Sequence, residues 1–264
     1  MDWTPDQDLW LDTDQGRLEA RCWGPPPDAR PTLVLLHEGL GSVDLWRDLP
    51  AQLAARTACG VLAYSRAGYG RSAPCPLPRP LDYMHREATL VLPQVLDAIG
   101  LRKGVTLGHS DGGSIAALHL GEAPDPRIAA AILIAPHFFV EDCSVQAIAA
   151  AKDAYENGNL REKLARHHDN VDCAFLGWNQ AWLDPAFRDW DISDTLRRIQ
   201  SPILAIQGLA DPYGTRAQVD LIPDAVRAPA RVCLLDECGH APHQEHRGRV
   251  LAEIADFLAG LHLD

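Results

Sequence analysis

Val105-Thr106-Leu107-Gly108-His109-Ser110-Asp111-Gly112-Gly113, running on into Ser114 to Leu120, is the stretch that decides the fold. A short run of strand character enters it, and residues with helical spacing leave it. Gly-x-Ser-x-Gly by itself is a loose pattern. With 20 Gly and 8 Ser in the chain, chance produces it in roughly one sequence in twenty. The strand before it and the helix after it make it specific. Gly108 and Gly112 lack Cβ, so strand and helix can close around a sharp turn that lifts the Ser110 hydroxyl above the carboxyl edge of a sheet. The helix N-terminus behind it supplies free N–H groups and partial positive charge.

Outward from this turn, short apolar runs alternate with segments of helical period. Asp8 to Thr13 and Arg17 to Trp23 read as a hairpin joined through Gly16. Thr32 to Leu36, Val61 to Tyr64, Val105 to Leu107, Ile128 to Ala135, Ile203 to Gln207 and Arg231 to Leu235 are strand candidates. They show little polar alternation, as expected of a parallel sheet covered on both faces. Helices are expected over Trp46 to Arg56, Tyr83 to Ile99, Asp111 to Leu120, Arg216 to Ile222 and Arg249 to Leu261. This alternation predicts an α/β fold with a doubly wound sheet. From Pro136 to Gln200 the rhythm breaks: helical pattern continues without a convincing strand. We read 1–135 and 201–264 as the core domain and 136–200 as a helical cap inserted between two strands. Asp184-Pro185 reads as a helix start inside that segment.

A nucleophilic Ser needs a base and a group that orients the base. With the nucleophile on a strand–turn–helix elbow, those partners follow in the order acid, then His. Asp211 follows the strand Ile203 to Gln207, and His240 follows the strand Arg231 to Leu235. Both are expected at the same sheet edge as Ser110. A tetrahedral intermediate also needs two backbone N–H groups. One is expected from Asp111; the other from the loop after Leu36, with Gly39 the first choice and Leu40 the second.

Composition narrows the partners. Asp plus Glu is 36 against 24 Lys plus Arg, a net charge of −12, and no basic run points to nucleic acid or an anionic membrane. No apolar run approaches the ~20 residues that span a bilayer. Met1 to Asp14 is acidic and has no leader-like apolar stretch, and the seven Cys form no Cys-x-x-Cys pair. The expectation is a cytoplasmic protein, monomer or homodimer, with reduced and mostly buried thiols. His240, His243 and His246 suggest a metal cluster, but Pro242 breaks any helix through them and no zinc-type spacing completes the set. No metal or cofactor is expected. His167-His168 reads as a solvated pair, His109 as packing beneath the elbow, and Cys233 and Cys238 as structural thiols.

Taken together these residues resemble the α/β-hydrolase family across essentially the whole chain. His37-Glu38-Gly39 stands in the place of the family's His-Gly-x loop, and Ser65 to Ser72 matches its Asp-x-x-Gly-x-Gly-x-Ser segment, with Ser65 where Asp is usual. Ser110, Asp211 and His240 fall on the triad positions. The resemblance implies an eight-stranded, mostly parallel sheet flanked by helices, with a helical cap over the site. It is nearest to the cap-bearing carboxylesterase, lactonase and ring-cleavage-product hydrolase branch. Epoxide hydrolases and haloalkane dehalogenases of this fold need an Asp nucleophile, and the elbow carries Ser. Glu38 replaces the family's Gly and is similar to dienelactone hydrolases, where an acid in that loop influences the nucleophile. The plainer expectation is that Glu38 points away and bonds Arg66 or a backbone N–H. The Asp111 carboxylate is expected to cap its helix or bond a cap residue.

The reading is a cofactor-free serine hydrolase acting on a neutral carboxylic ester or lactone, small aromatic or medium-chain, through an acyl-enzyme. Hydrolysis of a carbon–carbon bond on the same triad is the near alternative, and a non-catalytic small-molecule receptor the distant one. A peptidase is disfavoured because no acidic cluster for a free amino terminus is evident. The cap segment holds four of five Phe and three of seven Trp. Asp169 or Asn170 can start a helix on which Phe175, Trp178 and Trp182 share a face. Those three rings, Trp190, His137, Phe138 and Glu38 are the candidate substrate-binding residues.

Overall fold

Five apolar-leaning residues in Thr32–Leu36 leave that strand no face to turn to water, so it must be covered on both sides. The computed structural model describes residues 3–261 and 263 and meets this demand with an eight-stranded sheet between helical layers. Residues 1, 2, 262 and 264, at the ends of the expected core range, lie outside the described residues. The strands are β1 (Asp8–Thr13), β2 (Gly16–Trp23), β3 (Thr32–Leu36), β4 (Gly60–Tyr64), β5 (Gly104–His109), β6 (Ile128–Ile134), β7 (Ile203–Gly208) and β8 (Ala230–Leu235). Their order is β1-β2-β4-β3-β5-β6-β7-β8. The β1–β2 and β2–β4 pairs are antiparallel and all others parallel.

The helices are α1 (Leu49–Thr57), α2 (Tyr83–Arg86), α3 (Leu92–Ala98) and α4 (Asp111–Glu122). Between β6 and β7 lie α5 (Asp142–Glu156), α6 (Leu160–Leu164), α7 (Val171–Leu183) and α8 (Ser193–Leu196). After β7 come α9 (Ala217–Asp220), α10 (Ile222–Ala225), α11 (Pro242–Glu245) and α12 (Arg247–Ala259). Leu33 and Leu35 of β3 pack on one face with Leu49 and Leu53 of α1 and Val250 and Ile254 of α12. Val34 and Leu36 pack on the other with Leu92 and Val95 of α3 and Ile115 of α4. Each such side chain contributes roughly 1.5–3 kcal/mol by leaving water.

The chain runs from β3 outward to β4, then crosses back so that β5 lies on β3's other side. This reversal opens a crevice at the carboxyl ends of β3 and β5. In register, Leu36 pairs with Gly108 and His109 with Ile134, so the loops after these strands emerge at one edge.

Three expected elements differ. The helix expected over Tyr83 to Ile99 is interrupted by a π turn, Glu87–Val91. Pro93 in the first turn of α3 has no N–H to give the preceding turn. Arg216 to Ile222 forms the two short helices α9 and α10, the second with Pro223 near its start. Asp184-Pro185 starts only a 3-10 turn, Pro185–Phe187, with the Ala186 N–H donating to the Asp184 carboxylate.

The segment between β6 and β7 is an excursion whose ends meet at an antiparallel bridge between Phe139 and Asp191. Of the two candidate caps for α7, Asn170 serves: its side chain accepts the Cys173 N–H at 3.0 Å.

Candidate active site

Ser110 has φ 53° and ψ −119°, a strained conformation for a residue with a side chain. The glycines around it make that turn possible. A Cβ on Gly108 would lie 2.0 Å from the Gly112 carbonyl oxygen, and one on Gly112 1.9 Å from the Leu36 carbonyl oxygen. The Ser110 carbonyl accepts from the N–H groups of Gly113 and Ser114, which starts α4 directly behind the hydroxyl.

The structure brings Ser110, His240 and Asp211 together. His240 Nδ1 lies 2.8 Å from Asp211 Oδ2, and His240 Nε2 lies 2.9 Å from Ser110 Oγ. A carboxylate only accepts, so Nδ1 carries the hydrogen and Nε2 turns its lone pair to the Ser110 hydroxyl. Asp211 also accepts from the Tyr213 N–H at 2.8 Å and the Gln207 amide at 2.9 Å. Burial works to raise the Asp211 carboxyl; His240 and these donors outweigh it and hold it below the usual range.

The N–H groups of Gly39, Leu40 and Asp111 have no protein acceptor among the described residues and are free to donate to a ligand oxygen. Buried Arg66 explains how the loop after β3 holds its shape. Its guanidinium donates to the carbonyl oxygens of His37 at 2.5 Å and Glu38 at 3.1 Å, and its N–H donates to His37 Nε2 at 3.1 Å. Those carbonyls are thus turned inward, away from the pocket.

The expectation that the Glu38 carboxylate bonds Arg66 is corrected: its carbonyl does so, while the carboxylate lies 3.5 Å from His109 Nδ1 and the residue lines the pocket. Burial works against this anion, and the His109 contact outweighs it, pulling the carboxyl well down. His109 does lie beneath the elbow, with Nε2 2.7 Å from the His240 carbonyl oxygen. Its one ring therefore touches both the loop after β3 and the loop after β8. Asp111 bonds a residue of the β6–β7 segment: it accepts from Tyr83 Oη at 2.5 Å and Trp182 Nε1 at 3.2 Å. Burial raises its carboxyl despite the opposing Arg66 charge.

A pocket of about 450 Å³ opens above Ser110. Its wall includes Glu38, Gly39, Leu40, Asp111, His137, Trp178, Trp182 and His240, all singled out from sequence. Phe138, Phe175 and Trp190 are corrected, since they lie outside it. Phe138 is fully buried, Phe175 stacks on Tyr155 at 3.7 Å, and Trp190 stacks on Phe187 behind Trp182. Rings on one helical face divide between pocket and core, because that face is wider than the opening. Ile148 and Tyr213 complete the wall and were not foreseen. Tyr213 stands two residues past Asp211, a cue the spacing offered; Ile148 is one apolar residue among many on α5. His137 is pushed down to about 3 by burial, aided by His240, so it is neutral.

His168 is no solvated residue. It is 4% exposed, with the Gly70 N–H donating to Nδ1 at 2.9 Å and Nε2 donating to the Leu40 carbonyl oxygen at 3.0 Å. It therefore ties the β6–β7 segment to the oxyanion loop. His243 packs between Trp46 and His109. Among the described residues, no group of three or more His, Cys, Asp or Glu is arranged to hold a metal ion. All seven Cys are free thiols, five of them buried, including Cys233 and Cys238. No helix among the described residues is long and apolar enough to cross a membrane.

Comparison with known proteins bears on the fold and the family. Epoxide hydrolase A of Mycobacterium tuberculosis is 36% identical over 84 residues, 31% of this chain and 26% of that protein. Proline iminopeptidase of Lactobacillus helveticus is 23% identical over 270 residues, 87% of this chain and 90% of that protein. The crystal structure of the enol-lactonase from Burkholderia xenovorans LB400 superposes with a TM-score of 0.74 at 19% identity, over 95% of this chain and 100% of that one. The profile of the alpha/beta hydrolase family matches residues 33–254. This chain belongs to the alpha/beta hydrolase family.

Proposed function

We propose that the protein is a serine hydrolase that cleaves small neutral carboxylic esters or lactones through an acyl-enzyme. The observation that carries this reading is the continuous relay from Asp211 through His240 to the Ser110 hydroxyl, at 2.8 and 2.9 Å. His240 Nε2 takes the Ser110 proton as Oγ attacks the carbonyl carbon. The N–H groups of Asp111 and Gly39 receive the developing oxyanion. The proton on Nε2 then passes to the departing alkoxide, or to the ring oxygen of an opened lactone. Water, deprotonated by the same nitrogen, releases the acid and restores Ser110. Asp211 holds the tautomer and stabilises the imidazolium. Every step uses protein groups.

The wall of Ile148, Trp178, Trp182 and Tyr213 favours apolar or flat substituents. The carboxylates at its edge are engaged, Glu38 with His109 and Asp111 with Tyr83 and Trp182. Neither is left to hold a free amino terminus, which favours an ester or lactone over a peptide. An epoxide would require a carboxylate nucleophile, and the elbow carries a hydroxyl. A fluorophosphonate probe tests the reading: it should add one mass increment on Ser110. Ser110→Ala should remove labelling and lower nitrophenyl-ester turnover by about 10⁴-fold or more with the fold intact. Retention of more than a few per cent of activity would refute the nucleophile.

A further inference from the structure

A second hollow lies in the helices between β6 and β7. It is open to solvent, about 820 Å³, with Val145, Leu183 and Pro185 as its apolar lining and Asp142, Asp184 and Arg188 on its polar rim. Trp182 belongs both to this wall and to the wall of the pocket above Ser110. The two spaces are also neighbours along α5. Ile148 faces the catalytic pocket and Val145 the outer hollow, three residues apart and so adjacent on one helical face.

Trp182 is held in place by more than packing. Its indole N–H is shared between Tyr83 Oη at 3.1 Å and Asp111 Oδ1 at 3.2 Å, and Tyr83 in turn donates to Asp111 Oδ2. Its ring meets Phe187 and His137 edge-on at 5.1 Å each, with Trp190 at 6.0 Å. The side chain is 2% exposed. Swinging it aside would strand a buried N–H and leave the Asp111 carboxylate with one donor fewer, so the ring stays where it is.

Resting on the esterase or lactonase reading above, we propose that Trp182 is a latched partition that sets the substrate size limit. It closes the catalytic pocket against the outer hollow, and a linear apolar chain on the substrate must stop at its ring. Removing the ring joins the two spaces and lets such a chain run along α5 from Ile148 to Val145. Each methylene seated in apolar surroundings then strengthens binding roughly fourfold.

The experiment measures kcat/KM for nitrophenyl esters of increasing acyl length and for acetate esters of increasing alcohol length. The two series distinguish an acyl chain from an alcohol chain in the joined space. For wild type, the ratio of the eight-carbon to the two-carbon substrate should be low in both. In Trp182→Ala it should rise at least ~30-fold in one series, the product of about two to three seated methylenes. Adding Val145→Phe, which places a ring in the outer hollow one turn from Ile148 and away from Ser110, should bring the ratio back towards wild type. Trp182→Leu reads the same ratio if the alanine variant does not fold. An unchanged ratio in both series overturns the partition. So does a rise that Val145→Phe leaves untouched, because the added room then lies elsewhere. Fluorophosphonate labelling of wild type separates the two readings. No labelling at Ser110 sinks the serine-hydrolase proposal; labelling with an unchanged ratio sinks only the partition.

Discussion

The carboxyl edge of the sheet and the helical excursion between β6 and β7 meet at one pocket, yet they position their side chains by different means. At the sheet edge, Ser110 follows β5, Asp211 follows β7 and His240 follows β8. Parallel register brings those positions together, and the side chains need only turn towards one another. The excursion has no register with the sheet. It is seated by side chains reaching backbone or buried groups about a hundred residues away. His168 bonds Gly70 and Leu40, Trp182 bonds Asp111 and Tyr83, and the Trp178 indole lies over Gly39. The sheet edge is thus placed by the hydrogen-bonded ladder, and the excursion by single contacts that one substitution can rearrange.

The largest expected effect tests the sheet edge. Asp211→Asn keeps the shape but offers His240 a donor in place of an acceptor, so the wrong nitrogen faces Ser110. We expect kcat to fall by roughly 10³–10⁴ with little change in KM or Tm. A near-wild-type rate would mean that the register argument has chosen the wrong acid.

The next test joins the two regions. A Cβ on Gly39 would sit 2.1 Å from Trp178 Nε1, so Gly39→Ala must displace the indole or the oxyanion loop. Overpacking of this kind costs about 1–3 kcal/mol, and we expect kcat to fall with Tm. In a double-mutant cycle, most of the Tm cost of Gly39→Ala should be absent in the Trp178→Ala background. Strict additivity would show that the two residues do not press on each other.

Acid should weaken the fold through buried neutral imidazoles, His137 among them. His137 takes up a proton only near pH 3 when folded, against 6.5 for an unperturbed His. The unfolded chain therefore binds the extra proton between those values, and stability is lost as pH falls below about 6.5. The slope for one such group is about 1.4 kcal/mol per pH unit. Denaturant titrations at pH 7 and pH 5 should show a smaller loss for His137→Gln than for wild type; equal losses would remove His137 as the cause.

The smallest effect tests how α7 is started. Asn170→Ala removes the acceptor of the Cys173 N–H and should cost about 1 kcal/mol, a Tm decrease of roughly 2–4 °C for a chain of this size. Activity on a short ester should change less than Tm does, because the sheet edge is untouched.

Much of the arrangement at the carboxyl edge of the sheet was legible because local rules act there. A strand, two glycines and a helix can present Ser110 in one way only, and parallel strands end on one side, so Asp211 and His240 could be assigned by counting elements. Arg66 was not legible as the support of the oxyanion loop. Its donors meet the carbonyls of His37 and Glu38, 29 and 28 residues earlier, and no spacing rule links those positions. The Glu38 carboxylate was misdirected for the same reason: its partner, His109, comes from a different strand end.

The sequence by itself determined the alternation of strands and helices, the elbow and the order of its partners, because hydrophobic period and glycine chemistry are properties of neighbouring residues. Only the tertiary structure decided which rings of α7 face the pocket and which face the core. It also decided that His168 is buried and that Trp182 is latched to Asp111. Helical spacing puts Phe175, Trp178 and Trp182 on one face, but Tyr155 on α5 covers the first and the oxyanion loop meets the second. Burial depends on what arrives opposite a residue, and what arrives is set by contacts distant in the chain.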